Sequence, residues 1–376
     1  MKILFTGGGT GGHFYPIIAV AEAISTIVLK ERLVPPKLYY VAPDPYDESL
    51  LKELGIEFYF ASAGKIRRYA SILNVFDVFK TFAGIIKSIF LLYRIFPDII
   101  FSKGGYSSFP VTVAAKFLGI PVFVHESDSK PGRANLWAGK FAVRVAVSFP
   151  EAAQYFPTDT VALTGNPIRR DIANPQKSGA YEFLKLEPNI PVVLILGGSS
   201  GSLKINDTLL ATLPQLVPHY QIIHQTGEKH FESMEKTARV VLEGDVHAGR
   251  YHPFAYLNAL AMKMAAGVAD LVISRAGSTI FEIAVWGTPS IIIPIPEEVS
   301  HDQRGNAYTY ARSGAAVVME EKNLGPNLLA TEIKRLMDSP ADREEMKKAA
   351  QSFARPDAAE KIAKELIQIA LSHEEK

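Results

Sequence analysis

An apolar run, a glycine-rich turn and a helical stretch follow one another at the start of the chain, "KILFTGGGTGGH" (2 to 13), and again at "PVVLILGGSSGS" (191 to 202). This order opens a parallel strand–helix–strand unit, and its return midway through the chain calls for two parallel sheets. Further short apolar runs alternate with helical patterns: "KLYYVA" (37 to 42), "DIIFS" (98 to 102), "PVFVHE" (121 to 126), "RVAVSF" (144 to 149) and "TVALTG" (160 to 165) in the first half. "YQIIHQ" (220 to 225), "DLVISRAG" (270 to 277), "PSIIIPI" (289 to 295) and "AAVVME" (315 to 320) continue it in the second. The fold class is α/β, with two Rossmann-like domains in tandem. The length of 376 residues agrees, since a domain holds roughly 100 to 200.

The expected domains are 1–165 and 166–354. "ANPQKSGAYEFLKLEPNIP" (173 to 191), rich in Pro, Gly and polar residues, reads as a linker region. The helical C-terminal stretch is broken at "RPD" (355 to 357), so a last helix over about 355–376 is expected to cross back to the first domain.

A net charge of +1 excludes a global polybasic strategy toward nucleic acid. The charge is uneven: residues 1–165 carry 17 Lys and Arg against 13 Asp and Glu, and the remainder 23 against 26. An anionic surface partner therefore belongs to the first half. Cysteine is absent, which removes disulfides, zinc–thiolate sites and thiol nucleophiles and suits a reducing cytoplasm. The N-terminus is too short in apolar residues for a signal peptide. "TFAGIIKSIFLLYRIF" (81 to 96), broken by Lys87 and Arg94, falls short of the ~20 apolar residues of a spanning helix.

Glycine turns between strand and helix let backbone N–H groups approach a phosphate at a positive helix end. "GGGTGGH", "GGSSGS" and a third turn, "KGGYSS" (103 to 108), all qualify. Gly7, Gly9 and Gly12 also fit the dinucleotide pattern G-x-G-x-x-G, but that reading needs an acid at the end of the second strand. Glu31 lies near the required spacing from the glycines but precedes the strand, while Asp44 follows the strand and lies much further on, so the fit is poor. His13, at the start of the first helix, can bond a sugar hydroxyl or take its proton, or can simply bond a loop carbonyl. In "SRAGSTIFE" (274 to 282), Glu282 can hold a ribose or complement the helix dipole. Gln303 and Asn306 in "SHDQRGNA" suit sugar hydroxyls or the capping of a loop. There is no D-x-D clamp for a divalent metal and no zinc-type histidine spacing, so no metal is expected.

Residues 64–97 hold six basic side chains against the single acid Asp77. Lys80, Lys87 and Arg94 form one helical stripe, and Ile72, Phe76, Phe79, Phe82, Ile86, Ile89 and Phe90 a broad apolar face. One such face packs a helix on its sheet; the excess suits a lipid interface. "KPGRANLWAGKFAVR" (130 to 144) adds four basic residues and a Trp without an acid.

"GGTGGHFYP" (8 to 16), "SKGGYSSFP" (102 to 110), "HESDSKPGRAN" (125 to 135), "TGNPIR" (164 to 169), "LGGSSGS" (196 to 202), "ADLVISRAGSTIFE" (269 to 282) and "DQRGNA" (302 to 307) stand in the order of one family. The chain resembles the MurG family, the UDP-N-acetylglucosamine:undecaprenyl-diphospho-muramoylpentapeptide N-acetylglucosaminyltransferases of bacterial cell-wall synthesis. The resemblance implies the GT-B fold, two Rossmann-like domains facing across a cleft, with the donor UDP-GlcNAc mainly in the C-terminal domain. It implies a polyprenyl acceptor, lipid I, at the N-terminal domain, no required cofactor, and a peripheral place on the cytoplasmic face of the cell membrane among other cell-wall synthesis proteins. It puts Thr10, Gly11 and Gly12 against the donor and His13 beside the reacting hydroxyl. Asp128 falls to the donor sugar, Arg169 and Ser199 to the diphosphate and Ala255 to the uracil. Thr279 falls to the donor, Glu282 to the ribose, and Gln303 and Asn306 toward the sugar. Gly8, Gly9, Gly104, Gly105, Tyr106 and Ser107 fall to the acceptor, and Phe79, Lys80, Phe82, Ile86, Lys87 and Phe90 to an anionic membrane surface. The chain departs from the family pattern at "HESD", for H-E-Q-N, at "GGSSGS", for G-G-S-Q-G-A, and at "RAGSTIFE", one residue shorter.

Overall fold

The computed structural model describes residues 1–64, 73–198, 201–296 and 303–374. The chain divides into two compact units, Met1–Arg169 joined by Arg355–Lys376, and Arg170–Ala354. The first holds β1 (Lys2–Thr6), β2 (Lys37–Ala42), β3 (Ile56–Phe60), β4 (Ile99–Ser102), β5 (Val122–Glu126), β6 (Arg144–Val147) and β7 (Val161–Leu163). All pair in parallel, in the order β3-β2-β1-β4-β5-β6-β7. The second holds β8 (Val192–Leu196), β9 (Gln221–Gln225), β10 (Tyr251–Phe254), β11 (Leu271–Ser274), β12 (Ser290–Ile292) and β13 (Ala316–Val318). Their parallel order is β10-β9-β8-β11-β12-β13, the same winding as in the first six strands of the first unit.

The central strands read as unbroken apolar runs because helices cover both faces of a parallel sheet. Ile3, Leu4 and Phe5 of β1 are all buried, and Phe5 stands in register between Tyr40 and Phe101. β3 and β10 escape the sequence reading, and both are edge strands. β3 ("IEFYF") is half exposed with a glutamate inside it. β10 ("YHPF") carries Pro253, which an edge tolerates because one side of its backbone needs no ladder bond.

Residues 173–191 correct the linker reading. Ala180, Leu184 and Leu186 are buried within the second unit, and the Gln176 N–H donates to Lys263 O, so this segment is packed; the change of unit falls at Arg169 and Arg170. Its prolines and glycines shape tight turns on a packed surface.

The last helix, Ala358–Glu374, belongs to the first unit, where Ile362, Ala363, Leu366, Ile367 and Ala370 join the core around helix Gly11–Glu31. That first helix is also long and apolar enough to cross a membrane, but Phe14, Ile17, Ile18, Val20, Ala21 and Ile24 are spent on this core. Leu366 is fully buried there. Leu366→Ala is expected to destabilise the first unit by about 2–5 kcal/mol, the cost of a lost side chain plus the cavity it leaves. Urea unfolding followed by Trp137 fluorescence in a Trp286→Phe background, which leaves the first unit's tryptophan alone, measures it.

Candidate active site

In each sheet the winding direction reverses between two central strands, β1 and β4 in the first unit and β8 and β11 in the second. Loops leaving the carboxyl ends of such strands diverge and leave a ligand-sized crevice between them. The described parts of the four loops at these points are 7–10, 103–105, 197–198 with 201–202, and 275–278, which hold glycines of the turns noted in the sequence.

In the first unit the turn after β1 is held from below. The Tyr40 hydroxyl donates to Gly7 O at 2.5 Å and Ser107 Oγ to Gly8 O at 3.3 Å. Burial raises the Tyr40 phenol far above its ordinary pKa, so it remains a donor. Side chains are excluded: a Cβ on Gly8 would stand 2.7 Å from the Tyr40 hydroxyl, and one on Gly9, at φ 84°, 3.1 Å from the Tyr106 ring. Thr10 is the N-cap of helix Gly11–Glu31, yet its hydroxyl makes no capping bond. It lies 2.8 Å from His13 Nδ1 instead. If Nδ1–H donates to Thr10, Nε2 carries the lone pair that can take a proton; the other tautomer makes Nε2 a donor. A Cβ on Gly105, at φ 78°, would come 3.4 Å from Nε2, so the second glycine turn lies along the imidazole edge. The predicted set Gly8, Gly9, Thr10, Gly11, Gly12, His13, Gly104, Gly105, Tyr106 and Ser107 is therefore gathered at one switch point. Arg169 joins it from the end of the unit, its guanidinium 3.9 Å above the Tyr15 ring.

Beneath these turns lies a buried polar layer that sequence reasoning missed. Glu126, at the end of β5, accepts from Asp128 N at 2.9 Å, Gly132 N at 3.0 Å and Asn135 Nδ2 at 2.9 Å, and so shapes the loop that presents Asp128. Burial, with the nearby Asp128 charge, raises the Glu126 carboxyl above its ordinary range. Burial, helped by Lys103, holds His125 well below the usual imidazole value, and His125 Nε2 stands 3.0 Å from Gly165 O. Lys103 is 1% exposed, and its ammonium has no hydrogen-bond partner among the described residues. Burial lowers it to about 8 despite Glu126 and Asp128. The signal was present: Glu126 and Asn135 lie inside "HESDSKPGRAN" and Lys103 opens "KGGYSS", but neither string says that these side chains point inward.

In the second unit Ser202 caps helix Leu203–Leu216, accepting from Ile205 N. Gln225, buried at the end of β9, donates to Gly198 O at 3.2 Å and accepts from Leu257 N at 3.0 Å. One amide thus ties the glycine turn to the loop that carries Ala255, and it too was missed. Thr279 begins helix Thr279–Trp286 with Glu282 in its first turn. Gln303 Oε1 accepts from Ile295 N at 3.2 Å, and a Cβ on Gly277 would lie 3.6 Å from Gln303 Nε2. Asn306 is 1% exposed and donates to Ala276 O at 3.0 Å. Its amide is bonded to the backbone of the turn before helix Thr279–Trp286. Ser199 lies outside the described residues, as does Ile72. Among the described residues no three His, Asp or Glu side chains converge as metal ligands would.

Helix Leu73–Ile95 is inside out by ordinary standards. Its inward stripe is Asp77, Gly84, Ser88 and Leu92, small or polar for the most part, and a Cβ on Gly84 would collide with the Ser62 carbonyl. Phe79 is 68% and Phe90 71% exposed, with Phe76, Phe82 and Ile86 exposed beside them. Ile89 is the exception, packed against the core. Lys80 is exposed on the same helix, and Lys87 Nζ stands 4.6 Å over the Phe60 ring.

The glycosyltransferase family 28 N-terminal domain matches residues 3–147 and its C-terminal domain residues 192–362. A Treponema denticola UDP-N-acetylglucosamine–N-acetylmuramyl-(pentapeptide) pyrophosphoryl-undecaprenol N-acetylglucosamine transferase is 36% identical over 374 residues, 94% of this chain and 93% of the relative. The Lachnospira eligens protein of the same name is 34% identical over 89% of this chain and 90% of its own length. The crystal structure of Acinetobacter baumannii MurG superposes with a TM-score of 0.71 at 25% identity, over 98% of this chain and 99% of that one. A UDP-GlcNAc 2-epimerase from Neisseria meningitidis, at 16% identity and a TM-score of 0.70 over 98% and 100%, shares the fold.

The buried Lys103 gives a pH signature. Its pKa is about 8 in the folded chain against 10.5 unfolded, so the unfolded state binds more protons between these values and stability from this group rises with pH across that window. Urea midpoints of the wild type minus those of Lys103→Met, taken from pH 7 to 10.5, should rise over this range. A flat difference would show that the ammonium is not desolvated.

Proposed function

The chain belongs to glycosyltransferase family 28, among the UDP-N-acetylglucosamine–N-acetylmuramyl-(pentapeptide) pyrophosphoryl-undecaprenol N-acetylglucosamine transferases, and from that premise we propose how its residues share the reaction. It is an N-acetylglucosaminyltransferase of peptidoglycan synthesis that takes the sugar from UDP-N-acetylglucosamine and converts lipid I to lipid II.

The transfer is a single displacement with inversion. The C4 hydroxyl of the muramoyl sugar attacks the anomeric carbon, the bond to the diphosphate breaks, and the hydroxyl proton passes to His13 Nε2. The observation that carries this assignment is the Thr10–His13 contact of 2.8 Å, which fixes the ring at the mouth of the first switch point. Positive charge develops on the donor sugar and negative charge on UDP, where preorganised donors act most strongly. Backbone N–H groups of the 197–202 turn and Arg169 meet the leaving diphosphate. Glu282 holds the ribose, the loop at Ala255 the uracil, and Asp128 and Gln303 the sugar. The glycines at 8, 9, 104 and 105, with Tyr106 and Ser107, face the acceptor. No metal or organic cofactor enters this scheme.

The donor dissolves in water and the acceptor is anchored by a polyprenyl chain, so the enzyme works as a peripheral protein at the cytoplasmic leaflet. The exposed phenylalanines of helix Leu73–Ile95 enter the interface, with Lys80 and Lys87 toward anionic headgroups.

His13→Ala is expected to cut turnover by about 10²–10⁴-fold and to remove the acid limb of the pH–rate profile, as loss of a general base does. Product analysis with UDP-N-acetylglucosamine and a lipid I analogue reads it; near-normal turnover with an unchanged profile would rule out proton transfer by His13. Replacing Phe79, Phe82, Ile86 and Phe90 by serine should weaken sedimentation with anionic vesicles and leave UDP affinity unchanged. Equal sedimentation would remove the helix from the membrane site.

A further inference from the structure

In the second unit one side chain spans the switch point. Arg275 follows β11 and Ser202 closes the turn after β8, two loops that the strand order sets side by side. The Arg275 side chain is 12% exposed. Its Nη1 donates to Ile293 O at 3.2 Å and Pro294 O at 3.4 Å, beyond the end of β12. Its Nη2 donates to Ser202 Oγ at 2.5 Å and pairs with the Glu321 carboxylate. The guanidinium is thus held from three sides, and its charge is balanced locally.

Ser202 is 7% exposed, and its oxygen also accepts from Ile205 N–H at 3.4 Å. A hydroxyl oxygen has two lone pairs and one hydrogen, and a guanidinium has no acceptor to offer. With both lone pairs taken, the Ser202 hydrogen has to be given to something other than its two partners. None of the described residues receives it. An ordinary capping serine keeps a free lone pair and can turn its hydrogen toward any nearby acceptor; this one is committed to donating. It sits at the N-terminus of a 14-residue helix, where an anion is favoured.

We propose that Ser202, held in place by Arg275, donates its hydroxyl proton to the diphosphate of the bound uridine nucleotide. This rests on the reading that the turn after β8 is the diphosphate site. Ser202 then touches the donor substrate, while Arg275 is a positioning residue that acts through it. The pair adds a hydroxyl donor to the backbone groups and the Arg169 guanidinium assigned to the diphosphate above.

Titration calorimetry of the full chain with UDP and with uridine tests the assignment. Ser202→Ala should weaken UDP by about tenfold or more, the value of a hydrogen bond to a charged group, and leave uridine unchanged. Ser202→Asp keeps an acceptor for Ile205 N–H and for Arg275 but has no proton to give, so it should lose UDP at least as strongly while melting like the wild type. Ser202→Thr should restore the UDP to uridine ratio, and Arg275→Met should behave as Ser202→Ala. If the alanine and aspartate variants keep the wild-type ratio, or lose uridine and UDP equally, Ser202 is only a helix cap and the proposal is overturned. Backbone amide resonances of Gly198 and Gly201 separate this from failure of the underlying reading. If UDP moves them no more than uridine does, the turn is not the diphosphate site and both fall; if UDP moves them and the ratio is unchanged, the proposal falls alone.

Discussion

A parallel sheet that winds first one way and then the other has to part its loops where the direction reverses, and the chemistry of both units is built on that parting. β1 and β8 are the strands from which each reversal starts, and both are buried on every side. Their burial makes them rigid, so the turn that follows each is presented at a fixed height and angle. The neighbouring strand, β4 or β11, contributes the second loop. Nothing about sugar chemistry is needed to produce this arrangement; it follows from strand order and right-handed crossovers.

What the loops do with the position depends on removing side chains above and adding polar ones below. Gly8 and Gly9 let Tyr40 and Tyr106 approach the backbone to distances that a Cβ would forbid or crowd, and Gly105, at φ 78°, runs beside His13. Under them Glu126, His125, Asn135 and Lys103 form a polar layer out of reach of water, with hydrogen bonds that shape the Asp128 loop. The second unit repeats the plan with other residues: Gln225 braces one side of its glycine turn and Arg275 the other. Glu126, His125, Gln225 and Arg275 offset their burial by bonding to loop backbone that would otherwise lack a partner; among the described residues the Lys103 ammonium does not.

Helix Leu73–Ile95 shows the limit of periodicity as a guide. Its sequence has more apolar positions than one face can hold, and the usual rule would turn the phenylalanines inward. The fold turns Gly84 and Ser88 inward instead, and at Gly84 the Ser62 backbone passes too close for anything larger. The aromatic face is left outside by exclusion, and only the position of a neighbouring segment decides that.

The local chemistry of the chain was enough to establish two parallel α/β units, eleven of the thirteen strands among the described residues, the glycine turns and the return of the last helix. Those features are dictated by residues close together: apolar runs of strand length, glycines at positive φ, a break at "RPD". The edge strands β3 and β10 were not legible, since an edge asks little of its residues. Nor was the packed nature of 173–191, where turn-forming residues look the same on a tethered surface as in a free linker. The direction in which Lys103, Glu126, Gln225 and Arg275 point belonged to the tertiary structure alone. Each is a polar residue in or beside a strand end, equally suited by local preference to water or to the interior. Which it meets is settled by segments distant in sequence closing over it. For Gln225 and Arg275 the cost of burying polar atoms is offset by partners those segments supply, for Glu126 by its own following loop, and for the Lys103 ammonium by no hydrogen bond among the described residues.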